Sequence, residues 1–317
     1  MTDGPATTDR IDSAESLLRE ELARGDAMLG TVAPILRHLL VSEDNAIFGD
    51  EVIARVRGMT ADVAHQLLQE LSATTGGERG EPADDDAELL SAALIRSTAF
   101  LGHVHALALE WQLTERMAPR LSLDPVLSPL LQALVGSRDA VTSGLAMKFL
   151  AAQARFGQSQ RRMKLPLSEL PADLLHGALI ALRTVKGSGE AVDAAEVAIR
   201  SRYDEGGSRL GLIARLVTGM GGGVIAALAL SHAGVAIFLS ALALALGQDR
   251  DLAVLSTSES QIARLTLALR AAGLKAQTVE EQFVALHPQS AIPEGVNRLG
   301  TERAASILAM ADRFLRI

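Results

Sequence analysis

Along most of the chain, apolar residues return at steps of three and four, the period of a helix with one sheltered face. The clearest stripe is Leu90, Leu94, Ser97, Leu101, Val104, Ala108 and Trp111, which predicts one long helix over about residues 87–118. Before it, Asp12 followed by Glu15 reads as a capping box opening a helix that carries Leu17, Leu18 and Leu22, and Ser42-Glu43-Asp44 reads as the start of another. Further helices are predicted over about 126–135 and 139–156. In the second half the starts fall near 171, 190, 208, 224, 258, 278 and 301. Pro171 suits a first helical turn, and Ser208 suits a cap. Ser258 with Gln261 and Thr278 with Glu281 suit capping boxes, while Gly273-Leu274 suits a left-handed stop.

Two interruptions divide the chain. Residues 73–88 cluster Gly, Pro and acids with nothing to bury and read as a flexible loop. Pro166 and Pro171 exclude a continuous helix through Leu165–Pro171. The expected organisation is a tail over 1–11, a helical region over 12–163 containing the acidic loop, and a second helical region over 166–317. Starts spaced about 20 residues apart suit two-helix units, so the expected fold is all-α, stacked as a HEAT-like array or as an irregular helical bundle.

Composition narrows the fold class. Ala and Leu make up about a third of the 317 residues and aromatics only 3%, a balance that favours helix and excludes an all-β sandwich or barrel. With no Cys there is no disulfide framework and no thiolate site. The net charge of −8 disfavours a surface built as a whole to hold nucleic acid. The polar start reads as no secretory signal, so the expected address is the cytoplasm.

Residues 216–248 carry no Asp, Glu, Lys or Arg, and 224–246 are long enough to span a bilayer. Gly221-Gly222-Gly223 and Ser231-His232-Ala233-Gly234 should break that run, which favours a buried helical hairpin over a membrane span through 224–246.

Ala151-Ala152-Gln153-Ala154-Arg155-Phe156, Arg162-Met163 and Leu165-Pro166-Leu167-Ser168-Glu169-Leu170-Pro171 form a block that resembles bacterial all-helical proteins catalogued only as a domain of unknown function. Ala227-Leu228-Ala229-Leu230, Phe238, Ala241-Leu242-Ala243 and Ala271-Ala272-Gly273-Leu274 are similar to their carboxy-terminal helices. The resemblance covers roughly residues 139–286 and implies a HEAT-like helical fold. It implies no activity, cofactor or catalytic residue.

Few residues suggest chemistry. His103 and His105 lie near Glu110, but residues two apart on a helix point away from each other, so a solvated or partner-bonded role is expected rather than a metal site. Gly219-Met220-Gly221-Gly222-Gly223 follows a helix rather than a strand and reads as a connection, not a phosphate loop. His232 reads as a core histidine. No nucleophile motif is present, and the acidic pairs fall where helix starts favour negative charge.

The one compact basic cluster is Arg155, Arg161, Arg162 and Lys164, a shoulder able to hold an acidic peptide, a phosphate or a nucleic-acid backbone. The expectation is a non-enzymatic scaffold or regulatory protein that needs no cofactor and binds a partner, most simply a protein, through a helical surface at these four residues. The alternatives are an enzyme assembled in the fold around His103, Glu110 and a residue of the second half, or a membrane-associated protein.

Overall fold

The computed structural model describes residues 5–41, 51–74 and 84–315. Among them are fifteen α-helices and no strand, so the protein is all-α. In chain order the helices are α1 (Pro5–Val41), α2 (Glu51–Thr74), α3 (Asp84–Arg96), α4 (Thr98–Leu121), α5 (Pro129–Val135), α6 (Ala140–Arg161), α7 (Ala172–Lys186) and α8 (Glu190–Arg202). They continue as α9 (Arg209–Gly219), α10 (Val224–Ala227), α11 (Leu230–Leu246), α12 (Arg250–Leu255), α13 (Ile262–Ala271), α14 (Ala276–Leu286) and α15 (Thr301–Leu315).

The helices gather into two compact units, each built from separated stretches of chain. The first comprises Met1–Val32, Leu113–Ala133 and Val217–Ile317, and the second Ala33–Gln112 and Leu134–Leu216. The break expected between residues 163 and 166 therefore falls inside the second unit rather than between units. Its physical reason is in α2: Asp62 Oδ2 accepts the Leu165 N–H at 3.0 Å, Gln66 Oε1 accepts the Leu167 N–H at 3.0 Å, and Gln66 Nε2 donates to the Leu165 carbonyl at 2.9 Å. Pro166, between them, has no N–H to satisfy. The prolines keep the segment from being one continuous helix without ending a unit.

In the second unit α2 packs on α3, α7 and α8, and α3 on α7. Val56, Met59, Val63 and Leu67 of α2 share this core with Leu90, Leu94, Leu175, Leu182 and Ala195. In the first unit α13 packs on α14 and α15, and α11 on α10, α12 and α13. Phe238, Leu242, Leu265, Leu269, Phe283 and Ile307 are buried there.

Several expected boundaries move. Residues 73–74 end α2 and 84–88 open α3, so only 75–83 of the acidic stretch lie outside the described residues. Asp84, Asp85 and Asp86 occupy the first turn of α3, where the helix dipole favours negative charge, and Asp86 pairs with Lys186. Helix α1 already begins at Pro5, so residues 5–11 are helical rather than a tail and Asp12 lies within the helix, not at its cap. Glu15 instead takes Arg19 and Arg303, the latter at 2.7 Å. The start expected at Ser42–Asp44 lies outside the described residues, as do the side chains of Phe314 and Leu315.

The long stripe over 87–118 is two helices, α3 and α4, bent by 94° at Ser97, which is exposed. Ser97 Oγ accepts the Phe100 N–H at 3.3 Å, so a residue on the apolar period acts as a cap. Arg37 donates to the carbonyls of Ile95 and Arg96, each at 3.4 Å, and to Thr98 Oγ1 at 3.2 Å at the same break. The capping boxes of the second half do not form. Helix α14 starts at Ala276, and Gln261 Nε2 reaches the Gly25 carbonyl at 2.6 Å. The stop at Gly273 does form, with φ 93° and Leu274 N–H bonded to the Leu269 carbonyl at 3.3 Å.

Within the apolar run, Gly221–Gly223 form a 3-10 turn and α10 has only four residues. Gly234, with φ 73°, breaks the helical geometry inside α11. Most of α11 is buried, Val235 to Ala243 without interruption. No single helix among the described residues is long and apolar enough to cross a membrane.

Candidate functional site

Helix α6 and the residues just after it carry the basic cluster of the second unit. Asp139 caps its start, accepting the Thr142 N–H at 2.9 Å. At its other end Met163 adopts φ 55°, a left-handed conformation that glycine usually supplies. The Lys164 N–H returns to the Ser159 carbonyl at 2.9 Å and the Met163 N–H to the Gln160 carbonyl at 3.1 Å, so two carbonyls of the last turn are satisfied by a Schellman turn. Gly58 on α2 makes the room: a Cβ there would stand 2.6 Å from Met163 Cβ. This reversal, with the pinned segment behind it, sets the directions of Arg162, Lys164, Ser168 and Glu169.

These residues border a cleft of about 310 Å³, together with Arg155, Gln158, Ser159 and Arg209. Three of the four expected residues, Arg155, Arg162 and Lys164, line it, and all three are exposed. Arg161 does not. Its guanidinium lies 5.7 Å from the centre of the Trp111 ring, which Arg55 also approaches at 6.0 Å. Arg155 and Arg161 stand six residues apart on α6, about 120° from each other around its axis, so the two cannot share one direction, while Arg162 and Lys164 lie beyond the helix end.

Behind the cleft lies a buried ion pair. Arg209 Nη1 and Nη2 donate to the two carboxylate oxygens of Glu110 at 2.8 and 2.9 Å, and Nη1 also reaches Gln153 Oε1 at 3.2 Å. Both side chains are sealed from solvent, at 1% and 0% exposure. The guanidinium stacks 3.7 Å from the Phe156 ring centre. The Arg209 backbone N–H, in the first turn of α9, donates to Glu169 Oε2 at 2.8 Å. Burial raises the Glu169 carboxyl above its ordinary range, against the lowering effects of that hydrogen bond and of Arg209 and Arg155. Nearby, Tyr203 donates to the Leu170 carbonyl at 2.7 Å. Its hydroxyl is pushed up to about 12, first by burial and then by the Glu205, Asp173, Asp204 and Glu169 carboxylates.

Lys164 sits 3.7 Å from Asp62, a loose surface pair. Neither the Arg155 nor the Arg162 guanidinium makes a side-chain hydrogen bond among the described residues, although Arg155 is felt electrostatically by Glu169. The cleft thus presents cations at its mouth and a single carboxylate within.

The other candidates divide. His103 is buried and His105 half-buried. Glu110 does meet a residue of the second half, but that residue is Arg209, which occupies both carboxylate oxygens. Among the described residues no group of three or more His, Asp or Glu is placed to hold a metal ion. His232 is exposed, not a core residue, because it sits in the first turn of α11 before the buried stretch. The glycine-rich segment 219–223 joins α9 to α10, as expected of a connection.

The pattern of residues does not anticipate Arg209 or Glu169 in this place. The available signal is Glu110 itself, a carboxylate among Ala106, Leu107, Ala108 and Trp111, since a charge on a buried face requires an opposite partner. A scan of family models, a search of curated proteins and a search of solved structures find no match to the chain.

Proposed function

We propose that the chain is a helical binding protein that recruits a partner protein through the cleft at the end of α6. The observation that carries this reading is the contrast between its arginines. Buried Arg209 and Arg264 are each matched by a carboxylate, Glu110 and Asp26, whereas Arg155 and Arg162 converge on one cleft without a hydrogen-bonded acceptor. Such groups are ready to meet an acceptor from outside. The hairpins α2–α3 and α7–α8 serve in this reading as the stacked two-helix units of a binding scaffold, an architecture suited to extended recognition surfaces. The partner's contacting segment is anionic, and no cofactor takes part.

The test is affinity capture from the native cell with the full chain. Charge reversal in Arg155→Glu with Arg162→Glu is expected to reduce partner recovery at least tenfold while the melting temperature stays within a degree or so, because neither side chain holds the fold together. Undiminished recovery defeats the reading.

A further inference from the structure

We infer that the group seated in this cleft is a phosphomonoester dianion, carried on a phosphorylated serine or threonine of the partner. The inference rests on the reading just given and names the ligand chemistry of the same site.

Charge is the first argument. The lining carries four cations, Arg155, Arg162, Lys164 and Arg209, against the single carboxylate of Glu169. Arg209 is already matched by Glu110. Lys164 is loosely paired with Asp62 at 3.7 Å, so the two cations without a paired acceptor are Arg155 and Arg162, which a carboxylate would half neutralise and a phosphomonoester of about −1.5 to −2 would match. The second argument is donor chemistry. Two guanidiniums and an ammonium, with the hydroxyls of Ser159 and Ser168 on the same lining, suit an acceptor with three strong oxygens. A carboxylate offers only two.

The interior also selects the carrier. Glu169 occupies the Arg209 N–H, so the inner acceptor position is filled by the protein's own acid and the incoming anion must engage the outer cations. The one aromatic ring on the lining, Phe156, is buried and covered by Arg209, so no platform is left on which a nucleic-acid base could stack. A cleft of about 310 Å³ is of the size that takes a phosphorylated side chain with a short stretch of main chain.

The probe is N-acetyl-O-phosphoserine N-methylamide, titrated into the full chain and followed by its phosphorus resonance. Saturable binding is expected, weakened at least tenfold in Arg155→Ala with Arg162→Ala. Glu169→Gln keeps an oxygen to accept the Arg209 N–H but removes the repelling charge, and is expected to tighten binding several-fold. N-acetylglutamate N-methylamide and inorganic phosphate are each expected to bind at least tenfold more weakly than the phosphoserine probe. The inference is overturned by absence of saturation, by indifference to the arginine pair, or by weakening in Glu169→Gln. It is equally overturned if either small anion, or a single-stranded oligonucleotide, binds as tightly. Phosphatase treatment of the lysate separates the two readings. Capture that survives it yet is lost with the arginines overturns the phosphate and leaves the binding protein standing; capture indifferent to the arginines removes both.

Discussion

The stability of the second unit depends on the Glu110–Arg209 pair, which is sealed from solvent. Taking two charges out of water costs several kcal/mol each, and here the cost is offset by two hydrogen bonds between the pair, by Gln153 and by the Phe156 ring. Removing one partner leaves the other charged and buried. Arg209→Ala is therefore expected to lower unfolding stability by about 3–5 kcal/mol in urea denaturation. Glu110→Leu combined with Arg209→Met, which replaces both charges by apolar groups, is expected to recover most of that loss. Equal destabilisation by the single and double variants would mean that the pair does not compensate itself. This residue-scale feature was half legible: Glu110 announces a buried charge, but its partner lies 99 positions away, and periodicity carries no information about which distant cation arrives.

Among the elements, the sharpest departure from the pattern is the 94° turn between α3 and α4. Leu90, Leu94, Leu101 and Val104 are all buried, as one continuous stripe would require, while Ser97 between them is exposed. A helical period survives a break whenever both pieces turn their apolar faces to a core, so hydrophobic spacing alone cannot register a turn. What holds this one is polar: the Ser97 hydroxyl on the Phe100 N–H and Arg37 on the carbonyls left open. Ser97→Ala is expected to cost about 0.5–2 kcal/mol, the usual worth of a cap, and Ser97→Asp to restore it. Chemical denaturation monitored by helical circular dichroism measures both, and an Ala variant as stable as the parent would show that the turn is held without the cap. The mirror case is the end of α6, where glycine is absent from the stop and Met163 takes its conformation because Gly58, on another helix, leaves room. Local rules identify the helix there but not the manner of its ending.

For the whole molecule, acid stability has an identifiable contributor in the first unit. His287 is 3% exposed, beside Phe283 at 5.6 Å between ring centres, and its Nε2 has no hydrogen-bond partner among the described residues. Burial holds its ionisation below the ordinary 6.5; Arg116 and Arg120 act in the same direction, while Glu259 and a backbone hydrogen bond with Thr257 oppose it. Because the native value is the lower one, the stabilisation tied to the neutral ring is present above about pH 6.5 and is lost as the pH falls through the native value. Urea midpoints measured from pH 8 to pH 5 are expected to fall more steeply for the parent chain than for His287→Phe. Parallel curves would remove His287 from the acid response.

The all-α class, most helix positions in the second half and three of the four cleft-lining cations among those singled out follow from the order of residues, because propensity and the helical period are local properties. The assignment of Val217–Ile317 and Met1–Val32 to one unit, the turn at Ser97 and the meeting of Arg209 with Glu110 and Glu169 were decided by tertiary packing. Burial satisfies apolar faces and charges with whichever surfaces close around them, and that choice is made between segments far apart in the chain.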